Sequence, residues 1–239
     1  MKRTISAMRG KGSLTHNRRD FIAENVDSSR TPLNVEYRNE DIRAVYHELF
    51  DDALARYNEK QTRRDRVIDD YYEKIRTGKQ EKPFEELIIQ IGNKDDMNAS
   101  SENGQLARQM LNEYMQSFEQ RNPTLRVFSA HLHMDEATPH LHIDFIPFTT
   151  GSKRGLETRV SLKKALEALG FTGGTKSHTE LNQWIESEKQ ALASIMARHD
   201  IEWEQKETHE EHLSVLDYKK QERSKEVAAL ETQIDALQE

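Results

Sequence analysis

Three histidines within ten residues, His133, His140 and His142, are the side chains whose types and spacing are best suited to chemistry. On a strand, residues two apart point to one face, so His140 and His142 present two imidazoles side by side. The runs 125–133 and 140–148 are β-rich and are separated by residues 134–139, a spacing that predicts a hairpin. Its closing end carries His133 to the same point. Three neutral imidazoles converging there form a divalent-cation site with positions open to substrate oxygens. Such a cation is a Lewis acid that polarises a phosphodiester and stabilises charge in its transition state. His131 lies on the same side of a regular strand as His133 and is a competing ligand, two residues further from the turn. A pair of surface histidines on a strand is the plain alternative. It does not account for a third histidine across the hairpin, nor for Asp135 and Glu136 in the connection.

The elements that must hold these rings follow from periodicity. Residues 2–9 alternate and predict a strand ended by Gly10 and Gly12, while residues 13–38 read as irregular, with Pro32 opposing a long helix. Residues 39–76 read as two helices broken near 58–62, with Ile42, Val45, Tyr46, Leu49, Phe50 and Leu54 recurring at three and four residues. Residues 84–91 predict a strand, 103–120 an amphipathic helix, 161–169 a short helix and 179–199 a longer one. From His209 on, Leu213, Leu216, Val227, Leu230, Ile234 and Leu237 predict a protruding helix of coiled-coil character that would serve as a homodimerisation element. The pattern reaches Glu239 without a cap, so the helix is expected to continue. The expected division is a folded domain of residues 1–205 and an appended helix of residues 206–239.

The chain has 239 residues, 32% charged and 35% hydrophobic, a balance that predicts long solvated helices added to a smaller core. No apolar run approaches the roughly 18 residues that span a bilayer, and the N-terminus lacks the apolar stretch of a secretory signal. There are no cysteines, which excludes disulfides and thiolate metal sites. These features predict a cytoplasmic protein without membrane insertion. The net charge of −7 hides an asymmetry. Residues 1–30 carry seven Lys or Arg against three acids, and residues 151–176 carry six against two, whereas residues 180–239 carry fifteen acids against seven bases. Local field decides phosphate binding, so the two basic stretches are the candidate nucleic-acid surfaces. Lys153, Arg154 and Arg159 follow the second histidine strand directly, as a phosphate-contacting loop or a solvated basic one.

The pattern His-x-Asp-Glu-x-x-Pro-His-x-His, fixed here at His133, Asp135, Glu136, Pro139, His140 and His142, resembles the third motif of the MobV (Mob/Pre) plasmid relaxases, a branch of the HUH endonucleases. Gly12-Ser-Leu-Thr-His16-Asn17-Arg18-Arg19 is similar to that family's N-terminal His-Asn-x-Arg motif. The stretch with Asn25, Asp27, Arg30 and Leu33-Asn34 is similar to its second motif. The resemblance covers residues 1–205. It implies an α+β fold with a central antiparallel sheet flanked by helices and the histidine hairpin in its middle. It also implies a site- and strand-specific nickase acting on an origin of transfer, which stays joined to the 5′-phosphate. The partner would be origin DNA, a single strand with adjacent duplex or hairpin.

The same resemblance implies His16 as the nucleophile, Glu136 as the acceptor that holds its ring, and Arg19 as a partner of the scissile phosphate or of Glu136. Most HUH enzymes use tyrosine, and Tyr37 is the best tyrosine candidate in this chain; Tyr71 and Tyr72 fit packing in the helical block. Asn17 and Arg18 are expected at the DNA, and Arg30 and Asn34 either touch DNA or hold turns. The cofactor expected is a divalent metal, with Mn²⁺ favoured over Mg²⁺ or Zn²⁺; an all-histidine site suits the oxygen-seeking Mg²⁺ least.

Other functions compete with this one. An HUH replication initiator or transposon nickase would usually carry tyrosine and often a helicase domain. A hydrolase of small substrates explains the histidines but not the basic flanks. A non-enzymatic DNA-binding partner protein would suit the C-terminal helix. Nicking of an origin plasmid with covalent attachment separates the first reading from the others.

Overall fold

A computed structural model describes residues 1–205 together with Arg223, Ser224 and Val227. The chain opens with strands β1 (Lys2–Arg3) and β2 (Ile5–Arg9) and one helical turn, α1 (Leu14–Asn17). Strand β3 (Val35–Asn39) precedes α2 (Ile42–Glu59), α3 (Tyr71–Thr77), β4 (Glu85–Ile91), α4 (Glu102–Gln116) and α5 (Phe118–Arg121). The hairpin β5 (Leu125–His133) and β6 (His140–Thr149) follows, then β7 (Arg159–Val160), α6 (Leu162–Ala168), α7 (Glu180–Arg198) and β8 (Glu202–Trp203). All of these lie in the unit Met1–Gln205; of the helix expected from residue 209 only Arg223, Ser224 and Val227 are described, all three helical, and the rest lies outside the described residues. No helix among the described residues is long and apolar enough to cross a membrane.

The fold is α+β. Its main sheet runs β2-β4-β6-β5-β3 with every neighbouring pair antiparallel, and β7 adds to the far end of β6. A separate parallel pair, β1 with β8, ties the start of the chain to residues that follow α7. The helices begin where side chains satisfy the first free backbone N–H groups. Asp41 accepts from Ala44 at 3.0 Å, Asp70 from Glu73 at 2.9 Å, Ser101 from Gly104 at 3.1 Å and Thr179 from Asn182 at 3.2 Å.

Three expectations change. Residues 35–39 are not irregular but form an edge strand against β5, because five residues of alternation are too few to stand out after Pro32 without the partner strand. The helical block starts at Ile42, and its break spans residues 60–70, where a short 3-10 turn at Arg64–Arg66 intervenes. The helix expected over 103–120 divides at Ser117 into α4 and α5.

The two faces of the sheet differ. On one face Leu87, Ile89, Ile91, Ala130, Leu132, Leu141, Ile143 and Phe145 pack under α4, α5, α6 and α7, burying Met110, Leu111, Phe118, Trp184 and Met196. On the other face Phe128 and Ile146 pack under α2 and α3 with Val45, Tyr46, Phe50 and Tyr71. That second cover reaches only one end of the hairpin. Along β6, alternation places His140, His142 and Asp144 on the same side as Ile146, and they continue it beyond the helices.

A bulge sets which side β5 shows. Val127 pairs with Phe145 and Ser129 with Asp144, so Phe128 is surplus. The extra residue reverses the parity, bringing Ser129, His131 and His133 to the face opposite that of Val127.

A buried polar knot joins the helices of the apolar face. Glu188 of α7 accepts from the Tyr114 hydroxyl, from Arg121 at 2.8 Å and from Asn122 at 3.0 Å, and Trp184 donates to Asn122 at 2.8 Å. Replacing Glu188 by Ala leaves the buried Tyr114 hydroxyl and a half-buried guanidinium without their acceptor, and the expected loss is about 3–5 kcal/mol of unfolding free energy. Urea denaturation checks this; a loss below about 1 kcal/mol would show that the knot relaxes without harm.

Candidate active site

The hairpin register places His133 opposite His140 and His131 opposite His142. Ring centroids lie 5.3 Å apart for His133 and His140, 4.7 Å for His133 and His142, and 5.0 Å for His140 and His142. Each ring has one nitrogen engaged by a protein acceptor. His133 Nε2 faces the Asn17 carbonyl at 2.9 Å, His140 Nδ1 the Thr138 carbonyl at 2.8 Å, and His142 Nδ1 the Glu86 carboxylate at 2.7 Å. An acceptor on one nitrogen fixes the proton there and leaves a lone pair on the other. The nitrogens left over are His133 Nδ1, His140 Nε2 and His142 Nε2, and the first and last are buried without a hydrogen-bond partner. Two buried imidazole nitrogens without a partner fit ligation of a divalent cation. Ligand atoms close enough to share one occur in two overlapping groups, His16 with His133 and His142, and His133 with Glu136 and His140. His131 belongs to neither; its ring centroid is 6.4 Å from that of His133.

Burial keeps His133 and His142 neutral. It pushes His133 down to about 2, with the neighbouring His142 and His140 adding to the effect, and His142 down to about 4 despite the opposing pull of Glu86. His16 and His131 are lowered for the same reason, burial coming first in both. Neutral imidazole is the form that binds metal or attacks phosphorus.

His16, on the single turn of α1, reaches the cluster from the opposite end of the chain. Its ring centroid is 5.6 Å from that of His133 and 5.5 Å from that of His142, and its Nε2 is 3.5 Å from Glu136 Oε1. Arg19 organises this corner. It donates to Asp135 at 2.6 and 3.0 Å, to Glu136 at 2.8 Å and to the His16 carbonyl at 3.1 Å. Its backbone φ of 59° lies in the left-handed region, a strained conformation for a residue with a side chain. Burial alone would raise the Asp135 pKa, but hydrogen bonds from Arg19, Asn34 and Thr31 outweigh it and hold the carboxyl well below its usual range. Of the two partners expected for Arg19, Glu136 is in direct contact with it.

The residues expected at DNA divide into two sets. Asn17 is buried; its amide donates to Glu86 at 2.9 Å and Asp144 at 3.0 Å, so it braces the site from inside instead of facing solvent. Asn34 donates to Asp135 at 2.8 Å and accepts from the Met134 N–H at 2.6 Å, and Arg30 donates to the Met134 carbonyl at 2.9 Å. Both hold the hairpin turn, the alternative that the sequence left open. Arg18 is half-buried and donates to the Glu40 carbonyl at 3.4 Å. Lys153 and Arg154 are exposed, and Arg159 is half-buried with Nε 3.2 Å from the Ser152 hydroxyl. Tyr37 stands apart: it packs with the core on the opposite face of the sheet, where its hydroxyl donates to Asn112 at 3.0 Å and burial pushes its pKa up to about 12.

Two carboxylates escaped the sequence reading. Glu86 accepts from His142, from Asn17 and from the Gly12 N–H at 2.7 Å. Burial would raise its pKa, but these bonds, His142 foremost, lower it. Asp144 accepts from Asn17 and from the Ser129 hydroxyl at 2.9 Å; burial, reinforced by Glu86, pushes it up to about 7. The available signal was a charge inside an apolar run, Glu86 before Leu87-Ile88-Ile89 and Asp144 between Ile143 and Phe145. A buried charge in a strand needs a partner.

The sequence profile of the plasmid recombination enzyme family, Mob_Pre, matches residues 13–220. No curated protein matches the chain. Among solved structures, one Mn-bound crystal structure of the MobM relaxase domain (MOBV; Mob_Pre) with plasmid pMV158 oriT DNA of 22 nucleotides is 22% identical, with a TM-score of 0.52, over 92% of this chain and 99% of that one. A second, whose DNA carries a 3′ thiophosphate, is 21% identical with a TM-score of 0.51, over 92% and 98% of the two chains. At this identity the likeness establishes the fold.

The hold of Glu86 on His142 depends on Gly10. A Cβ at residue 10 would lie 1.9 Å from Glu86 Oε2, so the carboxylate must swing away. Gly10→Ala is therefore expected to weaken Mn²⁺ binding roughly 10–100-fold, as Glu86→Ala does. Isothermal titration calorimetry reads both, and unchanged affinity in either variant would remove Glu86 from the support of the site.

Proposed function

This chain belongs to the plasmid recombination enzyme family Mob_Pre, and from that premise we propose that it is a relaxase that nicks one strand at a plasmid origin of transfer. The observation that carries this reading is the His16 ring, within 5.6 Å of two imidazoles whose free nitrogens point inward. His133, His140 and His142 would hold a divalent metal, Mn²⁺ by preference, and when bound it supplies Lewis-acid stabilisation of the phosphate oxygens. The neighbouring MobM structures are Mn-bound and carry oriT DNA, which supports the same assignment.

The chain's own residues do the rest. A neutral His16 nitrogen attacks phosphorus; a P–N bond forms, the P–O3′ bond breaks, and its electron pair leaves with the 3′ oxygen. The ring turns cationic as the bond forms. Glu136, at 3.5 Å, balances that charge, and Arg19 holds Glu136 in place. The protein remains on the 5′-phosphate, and rejoining reverses the step. Tyr37, across the sheet, has no path to the phosphate.

DNA away from the nick would meet the basic loop after β6. Arg154 and Arg159 line a cleft with Lys74 and Lys79, and Lys153 lines a neighbouring one with Arg56 and Lys60. Thr149 ends β6 roughly 23 Å along the strand from His142, a span suited to flanking duplex. The catalytic domain is residues 1–205, working in the cytoplasm where plasmid DNA resides.

Supercoiled plasmid bearing the cognate origin, with Mn²⁺, is expected to yield relaxed circles carrying acid-labile bound protein. An acid-stable linkage would overturn the histidine assignment. His16→Ala should lose at least about 100-fold of this activity while Mn²⁺ affinity holds within a few-fold; a collapse of affinity instead would make His16 a ligand. Removing Lys153 and Arg154 together is expected to flatten the salt dependence of origin binding by about 1–2 in slope, measured by fluorescence anisotropy against salt.

A further inference from the structure

The segment between α1 and β3 is tied to the active site at many points. Asp27 N–H donates to the Asp135 carbonyl at 2.7 Å, Asn25 to Glu136 at 2.6 Å, and Thr31 to Asp135 at 2.9 Å. Arg30 and Asn34 add the turn contacts described above. A segment fixed this firmly could bury its apolar side chains beneath itself. Phe21 and Ile22 instead stand 49% and 55% exposed. Only three other large hydrophobic residues are exposed among the described ones, Met1, Leu33 and Val227. Single exposed apolar residues need no explanation. Two adjacent ones, held beside a nucleophile, do.

The Phe21 ring centroid is 6.2 Å from that of His16, with the planes inclined at 50°. A phosphate in contact with His16 therefore brings a base of its own or the adjoining nucleotide within reach of Phe21. Every base has a flat π face, so an exposed aromatic ring is a platform that any base can occupy. Loop flexibility would waste that contact, and the hydrogen bonds to Asp135 and Glu136 remove it. We propose that Phe21, flanked by Ile22, is the stacking platform for the unpaired base next to the scissile phosphate. It therefore fixes which phosphate lies against His16. This inference rests on the nicking reading and adds the single-stranded contact that reading lacks.

The test uses labelled single strands of the cognate origin, intact or with one abasic position moved stepwise across the nick site. Phe21→Ala is expected to weaken binding of the intact strand about 5- to 150-fold in fluorescence anisotropy, the range for one stacked base. At saturating DNA its single-turnover cleavage should spread from the origin phosphate to a neighbouring one, and Phe21→Trp should bind and cut as wild type does. At one position only, abasic DNA should bind wild type and Phe21→Ala equally, and 2-aminopurine placed there should be quenched by wild type alone. Equal binding of the intact strand by wild type and Phe21→Ala, while wild type nicks, overturns the platform and leaves the nickase standing. Wild type that binds these strands without cutting them or the origin plasmid overturns the nickase reading, and the platform falls with it.

Discussion

An imidazole that has given its only proton to one acceptor has one nitrogen left to offer, and everything at this site depends on where those acceptors stand. They come from three parts of the chain: the Asn17 carbonyl at the end of α1, the Thr138 carbonyl in the hairpin's own connection, and Glu86 on β4. None of the three rings is oriented until all three parts are assembled. Burial adds the second half of the constraint at His133 and His142, where it opposes proton uptake and so keeps the remaining lone pairs available. A site of this kind is therefore a property of the finished sheet, although its ligands occupy a single hairpin.

The sheet serves two purposes on one face. Along β6 the side chains on that face run His140, His142, Asp144, Ile146 and Phe148, from polar to apolar. The apolar end anchors α2 and α3; the polar end stays uncovered by them. The opposite face is apolar along β5 and β6 and carries the larger core, which lets the reactive end remain polar without loss of a packed interior. Arg19 shows how firmly the corner is built. Its strained backbone is held by a guanidinium with four hydrogen bonds to Asp135, Glu136 and the His16 carbonyl.

The hairpin and its histidines were legible because both runs are β-rich, alternation holds over residues 129–133 and 140–145, and the turn between them is short. The helices were legible from their period and their caps, to within a few residues at their ends. Strand β3 was not, since its evidence lies in the pairing with β5 and not in Val35-Glu36-Tyr37 itself. Glu86 was hidden for a related reason: it meets His142 across 56 positions of sequence, and no local pattern reports such a partner. Asn17, Arg30 and Asn34 were singled out as important, but sequence does not say whether an amide or guanidinium turns outward to a phosphate or inward to a carboxylate. The coordinates turn them inward.

The surplus residue at Phe128 has a consequence for how this protein can change over generations. The two histidines on β5 face the reactive side because the ladder skips Phe128, so the reactive side is encoded by which residue stays unpaired as much as by identities. Substitutions along β5 alter one contact each, and loss of Phe128 would leave Ser129, His131 and His133 where they are, because Val127 and Ser129 already pair with adjacent residues of β6; drawing Phe128 into the ladder would instead send both histidines into the apolar interior beneath α4 and α7. Lineages of this chain can thus lose the surplus residue and keep the site, and a one-residue gap in related sequences should fall at Phe128 more readily than between Ser129 and His133.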